Sequence, residues 1–150
     1  MGTITAITFT QAIPTLADEH DKQILVGVDF SNRDLTEDSF TKSILRKADF
    51  TNANLSGVSL FGAHLEGATL EGANLSYSTL DNAMFNKANL TNAILEGAFA
   101  FHTQFRGAII DGADFTDAFL REDTQKELCK TAKGTNPITG NDTKDTLFCD

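Results

Sequence analysis

Large apolar residues recur at every fifth position over most of the chain. The series runs from Leu25 to Leu120 without a gap, and 19 of its 20 positions are Leu, Phe or Ile. Its members are Leu25, Phe30, Leu35, Phe40, Leu45, Phe50, Leu55, Leu60, Leu65, Leu70, Leu75, Leu80, Phe85, Leu90, Leu95, Ala100, Phe105, Ile110, Phe115 and Leu120. A second apolar column lies two residues before each member, and 12 of its 20 positions are Ala, as at Ala48 and Ala73. The other three columns are mainly polar.

A period of five excludes both common secondary structures as the basis of this pattern. An α-helix repeats about every 3.6 residues and a flat strand every second residue, so neither keeps such side chains on one face. A chain that turns by about a right angle every five residues does. Four such sides close a coil of 20 residues, and coils stack at roughly the 4.8 Å spacing of β-strands. The sequence therefore predicts an all-β solenoid of about five coils, with one large and one small residue of each side pointing inward.

Two departures within the repeat carry further expectations. Glycines such as Gly57, Gly62 and Gly67 stand two residues after a central residue, which predicts corners with positive φ or close backbone approach. Ala100 is the single small residue of the central column. We expect either a cavity there or a neighbouring side chain that turns in to fill it.

The repeated motif resembles a known family. The pattern A-(D/N)-L-x-x, as in Ala48-Asp49-Phe50 and Ala88-Asn89-Leu90, is similar to that of pentapeptide-repeat proteins. The resemblance covers residues 25–120 and implies a right-handed quadrilateral β-helix. It does not imply one activity, because members of the family differ widely in function.

The segment after the repeat predicts a cap. We divide the chain into an N-terminal segment (1–24), the β-helix (25–121) and a helical C-terminal cap (122–150), because a solenoid exposes its core at each end. The cap contains two short predicted helices, at 122–132 and about 142–148. Its two cysteines, Cys129 and Cys149, form a disulfide or remain two free buried thiols. A disulfide would stabilise a unit that is too small to have its own core.

The C-terminal segment carries a second resemblance, which bears on location. Cys129, the run 134–140 (GTNPITG) and Cys149 are similar to the end of pentapeptide proteins from cyanobacteria and the plant thylakoid lumen. The resemblance implies export to the thylakoid lumen or the periplasm, and a disulfide agrees with an oxidising compartment. Met1–Ala17 has no charged residue and no basic start, so we expect a mature N-terminus behind an added Met-Gly, with any signal removed. A weak signal sequence and a cytoplasmic protein are the alternatives.

Charge and composition narrow the classes of function. The chain has 12 Lys and Arg against 21 Asp and Glu, so its net charge of -9 has the wrong sign for binding nucleic acid or an anionic membrane. We expect no membrane insertion. His64 and His102 have no carboxylate or serine partner set by spacing, and no histidine accompanies the cysteines as zinc binding would require. We therefore expect no catalytic residue, metal or cofactor, and no enzyme.

One side of the predicted coil carries phenylalanines where polar residues are expected. The candidate interaction patch consists of Phe61, Phe99, Phe101 and Phe119, with His102 beside them. A contiguous apolar patch on a soluble protein is seldom left bare. Its cover is either this chain's own C-terminal helices or N-terminal segment, a second copy, or another protein.

Two classes of function follow. The first is a non-enzymatic protein-interaction or scaffold module whose protein partner is unknown and which is a monomer or a weak homodimer. The second is suggested by family members that mimic DNA and inhibit topoisomerase, because the acidic charge would imitate phosphate. A basic side with Arg46, Lys47, Lys87 and Arg106 weakens that alternative.

Overall fold

The backbone forms a square coil with a repeat of 20 residues. The computed structural model of the protein describes residues 18–150. Seventeen parallel β-bridges connect the coils, from Glu19–Ser39 to Phe99–Phe119, and each joins residues that are 20 apart. In this described part the bridges are single and do not extend into continuous strands, because a turn interrupts every five-residue side. The predicted stack of about five four-sided coils is therefore present.

The side around Leu45 shows how each corner is made. The N–H of Leu45 donates to the carbonyl of His64 in the next coil at 2.7 Å, and the N–H of Ala48 donates back to Leu45 at 3.0 Å to close a β-turn. Lys47, the third residue of this turn, has a φ of 59°. Positive φ at the third residue is what a type II turn requires, and it favours Gly or Asn. The corner column accordingly contains many Gly and Asn residues, and Lys also occurs in it.

The central column is buried along nearly its whole length, and the small column is buried from Ser43 to Thr103. From Phe30 to Phe115 the central residues are 0–7% exposed, while Leu25 and Leu120 at the two ends are only partly buried. Ala100 is 1% exposed, and its coil keeps regular hydrogen bonds to the next one, with Ala100 N–H donating to Phe119 at 3.0 Å. The same coil has a phenylalanine, Phe85, in its central column. The coils 65–80 and 85–100 thus bring the same number of central side-chain carbon atoms to the core.

The solenoid begins before the predicted boundary at residue 25. Glu19 already bridges Ser39, and His20 occupies the central column one step before Leu25. The His20 ring stacks on Phe40 with centroids 5.0 Å apart. Backbone pairing continues here because it does not depend on an apolar central side chain. Residues 1–17 of the predicted N-terminal segment lie outside the described residues.

The C-terminal cap contains two helices, both shorter than predicted. The first, α1, spans Glu122–Cys129 and does not reach residue 132. It ends early because the chain turns back to the last coil, where the carbonyl of Lys133 accepts from Gly112 N–H at 2.8 Å. The second, α2, is a single turn at Thr143–Thr146, with Asp142 as its N-cap.

The last residues after α2 leave the helix. Phe148 has a φ of 55°. The N–H of Phe148 donates to the backbone carbonyl of Asp145, and the N–H of Cys149 donates to that of Lys144. This is the Schellman arrangement that ends a helix, with Phe148 where glycine is usual. Cys149 therefore lies beyond α2. Phe148 is 80% exposed, whereas Leu147 is buried.

Candidate interaction surface

Three of the four predicted patch residues are large, exposed and close together. Phe99, Phe101 and Phe119 are 45%, 49% and 56% exposed, and we call these three residues the aromatic patch. They lie on the fourth side of the coil, whose central residues include Leu80 and Ala100. These exposures include the whole C-terminal cap, so the cap helices do not cover the patch. The alternative that the N-terminal segment covers the patch involves residues 1–17, which lie outside the described residues.

The two stacked rings of the patch are held by the β-ladder beneath them. Phe99 and Phe119 are bridged residues, with N–H groups that donate to Ser78 and Ala98, each at 2.9 Å. Their ring centroids are 5.2 Å apart and their planes are inclined by 3°. Because the backbone sets this spacing, the rings form a flat, pre-ordered apolar surface.

Phe101 extends the patch toward the C-terminal cap. Its N–H donates to the Asp81 carboxylate at 2.7 Å, and its ring meets His102 edge-on at 5.0 Å. Phe101 also lines a shallow groove with Arg121, the last residue of the β-helix, and with Glu122 and Lys126 of α1. The patch is therefore bordered on one flank by charges of both signs.

Phe61 does not join the other three residues. It lies in the same column as Phe101 but two coils away, and Asp81 occupies the position between them. Phe61 is also partly buried and is less exposed than the other three residues. The predicted four-residue patch thus divides into a cluster of three and a separate ring.

Tyr77 is an exposed aromatic residue that the sequence reasoning did not single out. It occupies the corner before the fourth side, has a φ of 56°, and is 59% exposed. A bulky residue in the left-handed region is uncommon. Its ring covers Gly97 in the next coil, where an added Cβ would lie 2.4 Å from the ring. The available signal was a tyrosine in a column otherwise rich in Gly, Asn and Lys.

The cap is closed by the disulfide. Cys129 at the end of α1 and Cys149 after α2 are bonded, with Cα atoms 5.6 Å apart, so the alternative of two free thiols is not realised. Leu128, Ala132 and Leu147 pack beneath it as part of the main core. The cap therefore seals the last coil and does not form a separate hydrophobic core.

Asn136 fastens the cap to the coils. Its side chain is fully buried, and its amide group donates to the carbonyls of Asn92 and Gly112 at 3.1 and 3.0 Å. Its carbonyl oxygen accepts from the N–H groups of Ile138 and Thr139. The sequence pattern marked this residue only as part of a turn, because its partners lie more than 20 residues away.

Asp114 makes a second polar contact between the last coil and the cap. Its carboxylate accepts from Thr116 Oγ1 at 2.5 Å and from Asn141 Nδ2 at 2.9 Å. Burial raises the pKa of Asp114, but hydrogen bonds from Thr116, Asn141 and Thr139 outweigh it and lower the pKa below its ordinary value. The carboxylate is therefore stabilised in its charged form by the cap.

The basic side is partly neutralised. Arg46 Nε pairs with Glu66 Oε1 at 2.9 Å, and His64 Nδ1 lies 3.6 Å from the other oxygen of Glu66. No carboxylate partner for His64 was expected from spacing, but Glu66, two residues later, places its carboxylate beside the ring. Nothing in this arrangement places a nucleophile beside a base.

The N-terminal end of the described coil holds a different polar group. Asp18, His20 and Asp38 bring one ligand atom each within 4.8 Å of one another. His20 Nε2 is buried and lies 3.9 Å from Asp38 Oδ2. These residues come from adjacent coils on the same side as the aromatic patch.

In residues 18–150, neither helix has the length or the apolar character that crossing a membrane requires.

Two solved structures resemble this chain to different degrees. A pentapeptide repeat protein from the thylakoid lumen of Arabidopsis thaliana has a TM-score of 0.84 and 49% identity, over 86% of this chain and 90% of the other. HetL, a pentapeptide repeat protein involved in heterocyst differentiation regulation in the cyanobacterium Nostoc, has a TM-score of 0.44 and 26% identity, over 63% of this chain and 46% of the other. The Arabidopsis likeness confirms the predicted right-handed quadrilateral β-helix.

Sequence comparison agrees with the structural match. A chloroplastic thylakoid lumenal 15 kDa protein of Arabidopsis thaliana is 58% identical over 36 residues, which is 24% of this chain and only 16% of that relative. The family described as pentapeptide repeats matches residues 24–62, 63–99 and 85–121, with eight copies. The chain is therefore a member of the pentapeptide-repeat family.

Proposed function

We propose that this chain is a non-enzymatic protein-interaction module that works in the thylakoid lumen and binds a protein partner through the aromatic patch. The observation that carries the proposal is the patch itself. Phe99, Phe101 and Phe119 remain about half exposed on a backbone that the β-ladder holds fixed. A rigid aromatic surface loses little conformational entropy on binding, and aromatic residues are enriched at the centres of interfaces.

The lumenal location is supported by two independent observations. The Arabidopsis lumenal protein is 49% identical to this chain over most of both sequences. The Cys129–Cys149 disulfide suits an oxidising compartment. Fractionation of the native host with an antibody against the chain tests this. Recovery inside sealed thylakoids, protected from added protease, is expected. Recovery in the periplasm or the cytoplasm would contradict the lumenal proposal.

The partner is expected to be another protein, with the chain itself a monomer or at most a weak homodimer. A photoactivatable phenylalanine analogue at position 99 should crosslink to that protein in isolated lumen. Position 109 is the matched control, because Ile109 is 50% exposed on the opposite side of the solenoid, ten residues further along the chain. An adduct specific to position 99 supports the proposal. Equal labelling from both positions, or adducts of this chain with itself alone, would contradict it.

The acidic DNA mimic is the competing function. A mimic needs an acidic field along one face, whereas Arg46, Lys87 and Arg106 lie along one side of this solenoid. A gyrase supercoiling assay separates the two functions. We expect no inhibition at micromolar concentrations of the chain, and inhibition lost on removing surface carboxylates would favour the mimic.

A further inference from the structure

Polar residues replace the apolar ones at both inward columns where the described coil begins. His20 stands in the central column of the fourth side, where the following coils carry Phe40, Leu60, Leu80, Ala100 and Leu120. Asp18 and Asp38 stand in the small column of the same side, where Val58, Ser78, Ala98 and Ala118 follow. Asp18 is exposed, whereas the side chains of His20 and Asp38 are mostly buried, at 20% and 11% exposed. Burying an imidazole or a carboxylate without a partner costs free energy. These three departures from the repeat meet at one place.

The His20 ring is held in a fixed orientation. It stacks on Phe40 at 5.0 Å, with an angle of 19° between the planes, and meets Phe30 edge-on at 5.7 Å. Packing between two aromatic rings leaves Nε2 directed toward Asp38. The imidazole is therefore aimed at the two carboxylates before anything binds.

The nitrogen that faces the carboxylates lacks a hydrogen-bond partner. Nε2 of His20 is buried, and no residue in 18–150 hydrogen-bonds to it. The 3.9 Å between Nε2 and Asp38 Oδ2 is too long for a hydrogen bond. The N–H of Asp18 donates to Asp38 Oδ1 at 3.2 Å, so Oδ2 is the oxygen that faces the histidine. A buried polar atom left without a partner costs free energy and calls for an explanation.

We propose that Asp18, His20 and Asp38 bind one divalent transition-metal ion, for which Zn²⁺ is the natural probe. Zinc binds imidazole nitrogen and carboxylate oxygen at about 2.0–2.2 Å, so two ligand atoms in tetrahedral geometry are about 3.4 Å apart. The Nε2–Oδ2 distance needs to shorten by only about 0.5 Å. Imidazole favours zinc, copper, iron or nickel over magnesium and calcium. This proposal replaces the expectation that the chain has no metal site.

The expected role of the ion is structural. Asp18 and Asp38 lie in adjacent coils, so an ion held by both would tie the first described side to the next coil. A metal that binds only the folded site adds its binding free energy to folding. The ion would stabilise the N-terminal end of the solenoid, as the disulfide does the C-terminal end.

The test is calorimetric titration of ZnCl₂ into the full chain, without a histidine tag and after treatment with chelator. His20→Leu removes the imidazole and restores the residue that the repeat favours, so this variant should fold. Asp38→Ala removes one carboxylate and introduces the residue that is most common in the small column, so it should also fold. His102→Gln is the control, because His102 is exposed and distant. We expect one zinc per wild-type chain, with a higher melting temperature. We expect at least tenfold weaker binding and no thermal shift in His20→Leu and Asp38→Ala, and wild-type behaviour in His102→Gln.

Three results would overturn the proposal. The first is no zinc binding by the wild-type chain. The second is equal binding by His20→Leu, which would place the metal elsewhere. The third is a thermal shift from MgCl₂ as large as that from ZnCl₂, which would indicate general screening of the acidic surface and not coordination by His20.

Discussion

The ring of Phe99 lies parallel to that of Phe119 at 5.2 Å, one coil apart, on the outside of the solenoid. The spacing is set by the β-ladder, because the two residues form a backbone bridge. The repeat that builds the core from inward columns therefore also aligns outward residues at fixed intervals. Any outward column can become a regular surface, and on the fourth side that surface is aromatic.

The disulfide should stabilise the cap without supporting the coils. Closing a loop of this length is worth about 3 kcal/mol on the chain-entropy model, and the two cysteines are 20 residues apart. Replacing Cys129 and Cys149 with Ser should speed amide exchange in 122–150 while amides in the coils at 45–80 keep their protection. Global loss of protection would contradict this. Intact mass after alkylation in denaturant, without reductant, should show no label on the wild-type chain.

Ala100 and Phe85 should compensate for each other. Ala100→Leu alone should lower the free energy of unfolding by about 1–3 kcal/mol, because the coil already holds Phe85 and the next coil holds two phenylalanines. Phe85→Leu alone should also destabilise, by leaving a cavity. The double variant matches the all-leucine coil at 65–80 and should recover most of the loss. A denaturant double-mutant cycle measures this coupling, and a neutral or stabilising Ala100→Leu would contradict it.

The fold could be predicted from the sequence because the determinants of the coil are local and repeated. The inward columns and the corner glycines follow directly from a period of five. The cap could not be predicted to the same detail. Asn136 holds it through carbonyls at positions 92 and 112, and no short-range pattern encodes those contacts. The end of α2 depends on Phe148 adopting a positive φ, against its intrinsic preference.

The candidate surface could be predicted only in part, because the repeat fixes the side on which a residue lies but not its contacts. Register placed Phe99, Phe101 and Phe119 on one outward side, but it does not show which neighbouring side chain intervenes or how far a ring is covered. Phe61 was therefore included, although it is half-buried and separated by Asp81. His20 was missed because its role depends on two carboxylates that the coil brings beside it.

Asp114 should make the cap sensitive to acid. The pKa of Asp114 is lower in the folded chain than its ordinary value of 3.8. Its contribution to folding stability is therefore complete above pH 3.8 and is lost as the pH falls through the pKa of the folded state. Asp114→Asn should lower stability at pH 7 by about 1–3 kcal/mol, because the charged acceptor for Asn141 is lost. The difference from wild type should shrink near pH 3.

Asp34→Asn is the matched control for that variant. Asp34 occupies the same column and accepts from Thr36 as Asp114 does from Thr116, but it lies far from the cap. Unfolding followed by circular dichroism should show a smaller effect at this position. Equal losses from the two substitutions would mean that the local turn, and not the contact with the cap, accounts for the stability.

Gly97 should tolerate substitution less well than Gly57. Both have positive φ, so Gly→Ala at either position introduces backbone strain of roughly 1–2 kcal/mol. At Gly57 the added Cβ meets nothing within 4 Å, whereas at Gly97 it would lie 2.4 Å from the Tyr77 ring. Denaturant unfolding should therefore show a larger loss for Gly97→Ala. Equal losses would mean that the ring moves away at no cost.

The most direct test of the proposed function is the double variant Phe99→Ser, Phe101→Ser, measured for both thermal stability and partner binding. Because both rings are about half exposed, the melting temperature should change little, while the crosslinked or co-purifying lumenal protein should be lost. Phe61→Ser is the control and should keep the partner. A fall in stability of several kcal/mol, as expected for truncating buried aromatics, would show that this chain covers the patch itself. Unchanged partner binding with unchanged stability would likewise contradict the account.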